Sequence, residues 1–115
     1  ESRGFILGAP IAVERGCGFI PVRKPGKLPA ETLSQEYSLE YGKDAVEIHE
    51  DAIVRGQNVL VVDDVLATGG TMQATCQLLE RVGAHVLGIA FLIELTFLEG
   101  QRLLSAHRIE SIIKY

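Results

Sequence analysis

The residues best suited to chemistry lie in one stretch, Val59-Leu60-Val61-Val62-Asp63-Asp64-Val65-Leu66-Ala67-Thr68-Gly69-Gly70-Thr71. Its unbroken β-branched and leucine run predicts a strand buried on both faces. The run ends in two adjacent carboxylates. Small residues and a glycine pair then turn the chain into a helix expected from about Thr71 to Val82, with Gly83 as its stop. In parallel α/β sheets, ligands bind beyond the carboxyl ends of the strands. A helix start reached through such a turn offers backbone N–H groups and a positive dipole end to an anion. Thr68 and Thr71 add hydroxyl donors. The acids cannot face the same anion, since two unit charges about 4 Å apart at an effective dielectric of about 20 repel by about 4 kcal/mol. They must face sugar hydroxyls, which donate to carboxylates, or a divalent cation. A ligand with a phosphate on the turn side and vicinal hydroxyls on the acid side satisfies both ends. Ribose 5-phosphate fits that description.

Other phosphate-binding patterns fail on inspection. A P-loop requires GxxxxGK[ST], and no lysine follows Gly70 until Lys114. The dinucleotide fingerprint GxGxxG after a strand is absent. A signalling receiver domain also ends a strand in paired acids but needs a later phosphoacceptor aspartate, and none follows Asp64.

The elements that must position this stretch are legible in outline. Ser2 to Arg15 has apolar residues at helical spacing, Pro10 as a potential kink and Gly16 as a stop. Phe19, Ile20 and Val22 suggest a short buried strand. Arg23 to Ala30 carries Lys24, Lys27 and two prolines and reads as a mobile, positively charged loop. From Glu36 to Gly42 the pattern alternates, with Tyr37, Leu39 and Tyr41 on one face and Glu36, Ser38 and Glu40 on the other. Gly42-Lys43-Asp44 suggests a turn, and Val46 and Ile48 a second short strand. On the helix after Gly70, Met72, Cys76, Leu79 and Val82 form one apolar stripe. His85 to Leu95 is a buried strand, Phe97 to Ala106 reads as helical despite Gly100, and Ile109 to Ile113 closes with a strand. Strand, helix, strand alternation after residue 59 implies an α/β fold built on a parallel sheet with flanking helices.

Composition narrows the class. The 115 residues amount to one domain, with 47% hydrophobic residues, 23% charged residues and a net charge of −4. That balance excludes intrinsic disorder and argues against a general nucleic-acid binder, which would carry a basic excess. The longest apolar run, Val86 to Ile93, is too short to span a bilayer. Cys17 and Cys76 show no metal-ligand spacing and read as reduced cytoplasmic thiols, Cys76 within the helix core. His49, His85 and His107 show no ligand spacing either. The chain opens on Glu1, and its first residues read as the interior of a longer polypeptide.

The strand–acid pair–turn stretch resembles the phosphoribosyl-pyrophosphate (PRPP) signature of type I phosphoribosyltransferases. Glu1-Ser2-Arg3-Gly4-Phe5, Arg23-Lys24-Pro25-Gly26-Lys27-Leu28-Pro29, Tyr37-Ser38-Leu39-Glu40-Tyr41-Gly42 and Ala67-Thr68-Gly69-Gly70-Thr71 together resemble the adenine phosphoribosyltransferases, over essentially the whole chain. The resemblance implies one partial phosphoribosyltransferase domain over residues 1–115, lacking the N-terminal hood that grips the base and the strand that leads into Ser2. It implies transfer of ribose 5-phosphate from PRPP to adenine, giving AMP and pyrophosphate in purine salvage. Mg2+ would be bound mainly through PRPP and pyrophosphate, without a protein metal site, and the assembly would be a cytoplasmic homodimer.

By the same resemblance, Asp63 and Asp64 hold the ribose hydroxyls, and Ala67, Thr68, Gly69, Gly70 and Thr71 cradle the 5-phosphate. Arg3 contacts pyrophosphate, Lys24 and Lys27 lie on a loop that closes over the site, and Glu40 and Tyr41 stand near the reacting centre. Taken alone, Lys24 and Lys27 read as solvated loop charges, and Tyr37 and Tyr41 as packing residues. Two alternatives stay open: a PRPP-binding regulator without turnover, and a transferase for another base such as hypoxanthine or orotate.

Overall fold

The computed structural model describes all 115 residues. Helix α1 spans Ser2–Arg15, and Gly16 ends it in the left-handed region, its N–H reaching Ala12 and Val13 carbonyls. Strands β1 (Thr32–Ser38) and β2 (Lys43–His49) form an antiparallel hairpin in the register Ser38 opposite Lys43. Strand β3 (Asn58–Leu66) leads into helix α2 (Gly70–Arg81). Strand β4 (His85–Glu94) pairs parallel with β3, and β5 (Ile109–Lys114) pairs parallel with β4. The expected α/β architecture with a parallel sheet and flanking helices is the one observed.

Helix α2 is the centre of the packing. The Met72, Cys76 and Leu79 stripe is buried as its spacing predicts, but Ala74, Thr75 and Leu78 are buried too. The reason is that α2 touches both the β1–β2 hairpin and the parallel sheet, so it presents two covered faces instead of one. Val46, Ile48, Leu66, Ile89, Phe91 and Leu104 join it in one contiguous core. The Cys76 thiol, buried in that core near Glu80, is pushed up to about 12 and is inert as a nucleophile.

Four expectations are corrected. Phe19, Ile20 and Val22 form no strand; Ile20 and Val22 pack against the core as side chains, and the one backbone bridge to the hairpin there is Arg23 with Glu47. Pro21 has no N–H to give a ladder, and Phe19 instead packs edge-on against Phe5 with ring centroids 5.6 Å apart. The alternating segment ends at Ser38, four residues early, because the Leu39 N–H bonds the Gly42 carbonyl at 2.9 Å and closes the hairpin turn. Lys43 and Asp44 therefore already belong to β2. Strand β3 is not buried on both faces: Leu60 is 52% exposed, since it lines an open cleft between α1 and the sheet. The segment after β4 is two 3-10 turns, Thr96–Leu98 and Gly100–Leu104, rather than one helix. They are separated by Glu99, which alone among non-glycine residues has positive φ, 54°.

Candidate active site

Asp63 and Asp64 sit near the C-terminal end of β3, where the chain leaves the sheet for the Ala67–Thr71 turn. The turn exists because Gly69 adopts φ +91°, a left-handed conformation that side chains rarely tolerate. A Cβ there would also stand 2.7 Å from the Gly100 carbonyl oxygen. Helix α2 begins at Gly70 with no side-chain cap, so its first N–H groups are left for an anion. Thr71 Oγ donates to the Tyr37 hydroxyl at 3.2 Å, and Thr68 is exposed.

The two acids have different surroundings. Asp63 accepts the Asp64 backbone N–H at 2.9 Å and lies against Gly4 of α1, where a Cβ would be 2.6 Å from Asp63 Oδ1. Burial pushes the Asp63 carboxyl up from its ordinary value of 3.8, the Asp64 carboxylate adds to this, and the Asp64 N–H only partly offsets it. Asp64 instead forms an ion pair with Arg3, Nε to Oδ2 at 2.7 Å. A polar cleft of about 340 Å3, lined by Glu1, Ser2, Arg3, Asp63 and Asp64, opens beside them. No three His, Cys, Asp or Glu side chains converge on a metal-sized point. The acid pair instead fits the Mg2+ mode in which one or two carboxylates act together with substrate phosphates.

The basic loop is anchored by carboxylates. Glu1 accepts the Lys24 backbone N–H at 2.6 Å and the Lys27 ammonium at 3.1 Å, and lies 3.5 Å from Arg23 Nε. Burial alone would raise the Glu1 carboxyl, but the Lys24 N–H and the Lys27 ammonium outweigh it and hold the group below 4.5. Lys24 Nζ pairs with Asp44 Oδ2 at 2.5 Å and donates to the Tyr37 hydroxyl. Burial opposes the Lys24 charge, yet these two partners prevail and its value rises above 10.5.

Of the residues expected at the site, Arg3, Asp63 and Asp64 meet directly, the Ala67–Thr71 turn follows on the same strand, and Lys24 reaches the turn through Tyr37. Lys27 is held at Glu1. Glu40 and Tyr41 are not drawn in: both are exposed on the hairpin turn, Tyr41 by 87%, because the strand stops at Ser38 and leaves them beyond the packed part of the hairpin. Glu1, Asp44 and the Tyr37 hydroxyl join the site without a place among the expected residues. Tyr37 had one usable signal, its place on the apolar face of an alternating strand. Glu1 and Asp44 had none, since their partners are 23 and 20 residues away.

A family model for the phosphoribosyl transferase domain matches residues 1–111. The chain belongs to the phosphoribosyltransferase family. It is 58% identical, over its whole length, to the adenine phosphoribosyltransferase of Desulfitobacterium hafniense strain Y51 and covers 66% of that protein. The crystal structure of adenine phosphoribosyltransferase from Thermoanaerobacter pseudethanolicus superposes on all of the chain with a TM-score of 0.96 at 59% identity, the chain covering 67% of it. The enzyme from Trypanosoma brucei, in complex with AMP, pyrophosphate and ribose 5-phosphate, matches 99% of the chain with a TM-score of 0.90 at 32% identity, the chain covering 53% of it. This phosphoribosyltransferase chain thus spans about 66% of the length of the curated relatives it matches. No helix of the chain is long and apolar enough to cross a membrane.

Proposed function

We propose that this chain carries the PRPP site of an enzyme that transfers ribose 5-phosphate to adenine, giving AMP and pyrophosphate. The observation that carries the reading is the acid pair and the uncapped α2 start on one strand–turn–helix unit. That unit meets both ends of a ribose 5-phosphate, and the chain's relatives include adenine phosphoribosyltransferases. Asp63 and Asp64 accept the ribose hydroxyls. The Ala67, Thr68, Gly69, Gly70 and Thr71 segment binds the 5-phosphate through backbone N–H groups and threonine hydroxyls.

Displacing pyrophosphate at the sugar C1 builds positive charge on the ring and negative charge on the leaving group. No covalent nucleophile is needed, and electrostatic placement supplies most of the acceleration. Arg3 exchanges its Asp64 partner for the diphosphate, and Lys24 and Lys27 leave Asp44 and Glu1 as their loop closes and excludes water. Mg2+ would be held mainly by the diphosphate, with Asp63 and Asp64 the nearest protein carboxylates, and would supply charge neutralisation of the leaving group. Glu40 and Tyr41 act at the reacting centre only if the hairpin turn moves. The cellular setting is purine salvage in the cytoplasm, by a homodimer.

The exposed position of Glu40 and Tyr41 favours one second reading, a PRPP-binding regulator without turnover. Assaying the protein with PRPP, Mg2+ and either adenine or hypoxanthine decides between them. AMP formation with hypoxanthine much poorer is expected. Tight PRPP binding with no product from either base would establish the regulator, and equal rates would remove the adenine preference.

A further inference from the structure

Glu94 is an anomaly outside the site. It is a carboxylate at the end of β4, only 4% exposed, and its side-chain partners are neutral. Gln101 Nε2 donates to both its oxygens at 2.9 and 2.8 Å, and Ser111 Oγ donates at 2.8 Å. A buried carboxylate is expensive unless its lone pairs are satisfied, so three hydrogen bonds from two convergent side chains mark a built contact. Its backbone sits opposite Leu66, the residue that opens the Ala67–Thr71 turn, and the Leu95 N–H bonds the Leu66 carbonyl at 2.9 Å.

The segment that Glu94 ties down through Gln101 presses on the same turn from behind. Glu99 swings the chain with its positive φ of 54°. Gly100 then lies so close that a Cβ would stand 2.4 Å from the Ala67 carbonyl oxygen and 2.8 Å from Leu66 Cδ1. Gly69 meets the Gly100 carbonyl in return, as its own 2.7 Å limit shows. Four residues on, Leu104 is 1% exposed and locks the segment into the core.

We propose that residues 94–104 form a strap that holds the phosphate-binding turn in shape, with Glu94 and Gly100 as positioning residues for the sugar-phosphate end of the substrate. The strap is fixed at Glu94–Gln101–Ser111 on one side and at Leu104 on the other, so Gly100 is the backing against which Gly69 holds its left-handed turn. This inference rests on the reading of Ala67–Thr71 as the phosphate cradle.

The test is calorimetric titration of the full chain and its variants with ribose 5-phosphate and, separately, with inorganic pyrophosphate plus Mg2+. Gly100→Ala forces the strap off the turn, and Glu94→Leu leaves Gln101 and Ser111 without their acceptor. Each should weaken ribose 5-phosphate by about 10-fold or more, since sub-ångström to 1 Å misplacements act at this scale. Pyrophosphate should stay within about twofold. Glu94→Gln accepts from Ser111 and donates to a turned Gln101 amide, so it should return ribose 5-phosphate affinity to within about threefold. Unchanged ribose 5-phosphate binding in Glu94→Leu, or equal losses for both ligands, would overturn the strap. Should Gly100→Ala fail to fold, the two Glu94 variants decide. Thr71→Val, in the turn itself, separates the two readings. If it weakens ribose 5-phosphate while the strap variants do not, only the strap is wrong. If the unsubstituted chain itself fails to bind ribose 5-phosphate, the phosphate-cradle reading fails and the strap falls with it.

Discussion

The sugar-phosphate half of the site and the basic-loop half are held by different kinds of force. The first is backbone: a strand end, a left-handed glycine and a helix start, all within Val59–Thr71 and backed by Gly100. The second is side-chain charge: Arg3 on Asp64, Lys24 on Asp44 and Lys27 on Glu1, with Arg3 81% and Lys27 50% exposed. Backbone geometry is already in place when a ligand arrives. Ion pairs at the surface are worth little, about 0–1 kcal/mol, and a diphosphate can replace the carboxylate in each. Under the proposed function, the molecule pairs a preformed grip for the sugar phosphate with cations that remain exchangeable for the leaving group.

The largest effect should follow from breaking the backbone half. Gly69→Ala combines a positive φ with a clash against the Gly100 carbonyl, and should cost about 3 kcal/mol of stability together with measurable ribose 5-phosphate binding. Thermal melts and titration check both. Asp64→Asn comes next. It weakens a charge-assisted contact to the sugar and should cost ribose 5-phosphate about 10- to 100-fold, while pyrophosphate binds as well or better because Arg3 loses its competing partner. Equal losses for both ligands would erase the proposed division of the site.

Asp63→Asn sharpens the comparison through pH. Burial raises the folded-state value of Asp63 above 3.8, so folding disfavours its charged form. Wild-type stability contributed by this group therefore falls as pH rises from about 3.8 through the raised value. The asparagine variant should lack that fall and melt higher at neutral pH, yet bind ribose 5-phosphate less well. Melting curves across that range decide it.

The smallest effect belongs to Asp44→Asn in the charge half. Lys24 is raised above 10.5 by Asp44 and Tyr37 against the opposing effect of burial, so its contribution is present below 10.5 and lost as pH rises through the higher folded value. The Lys24 hydrogen bond lowers Asp44 below 3.8, so its contribution is present above 3.8 and lost as pH falls through the lower folded value. Asp44→Asn should flatten both edges with the least change in melting temperature at neutral pH of the four substitutions.

The same division explains what could be read in advance. The parallel sheet, α2 and the acid–turn stretch were legible because their signals are local: a β-branched run, adjacent acids, a glycine pair, helical spacing. Glu1 and Asp44 were illegible because their roles depend on partners more than 15 residues away. Glu40 and Tyr41 were expected to extend a strand, but the strand closes at Ser38 through the Leu39–Gly42 bond, an event that alternation alone does not reveal. The segment Phe97 to Ala106 reads as helical despite Gly100, yet Glu99 breaks it with a positive φ, and Gly100 comes up against Ala67. Leu60 reads as buried because a run of apolar residues does not say which face of the strand is left uncovered.

A crystal structure of the protein with AMP bound tests the central claim most directly. The 5-phosphate should lie on the N–H groups of Gly69 to Thr71 and the ribose hydroxyls on Asp63 and Asp64. A nucleotide seated elsewhere, with the turn touching no phosphate, would contradict it.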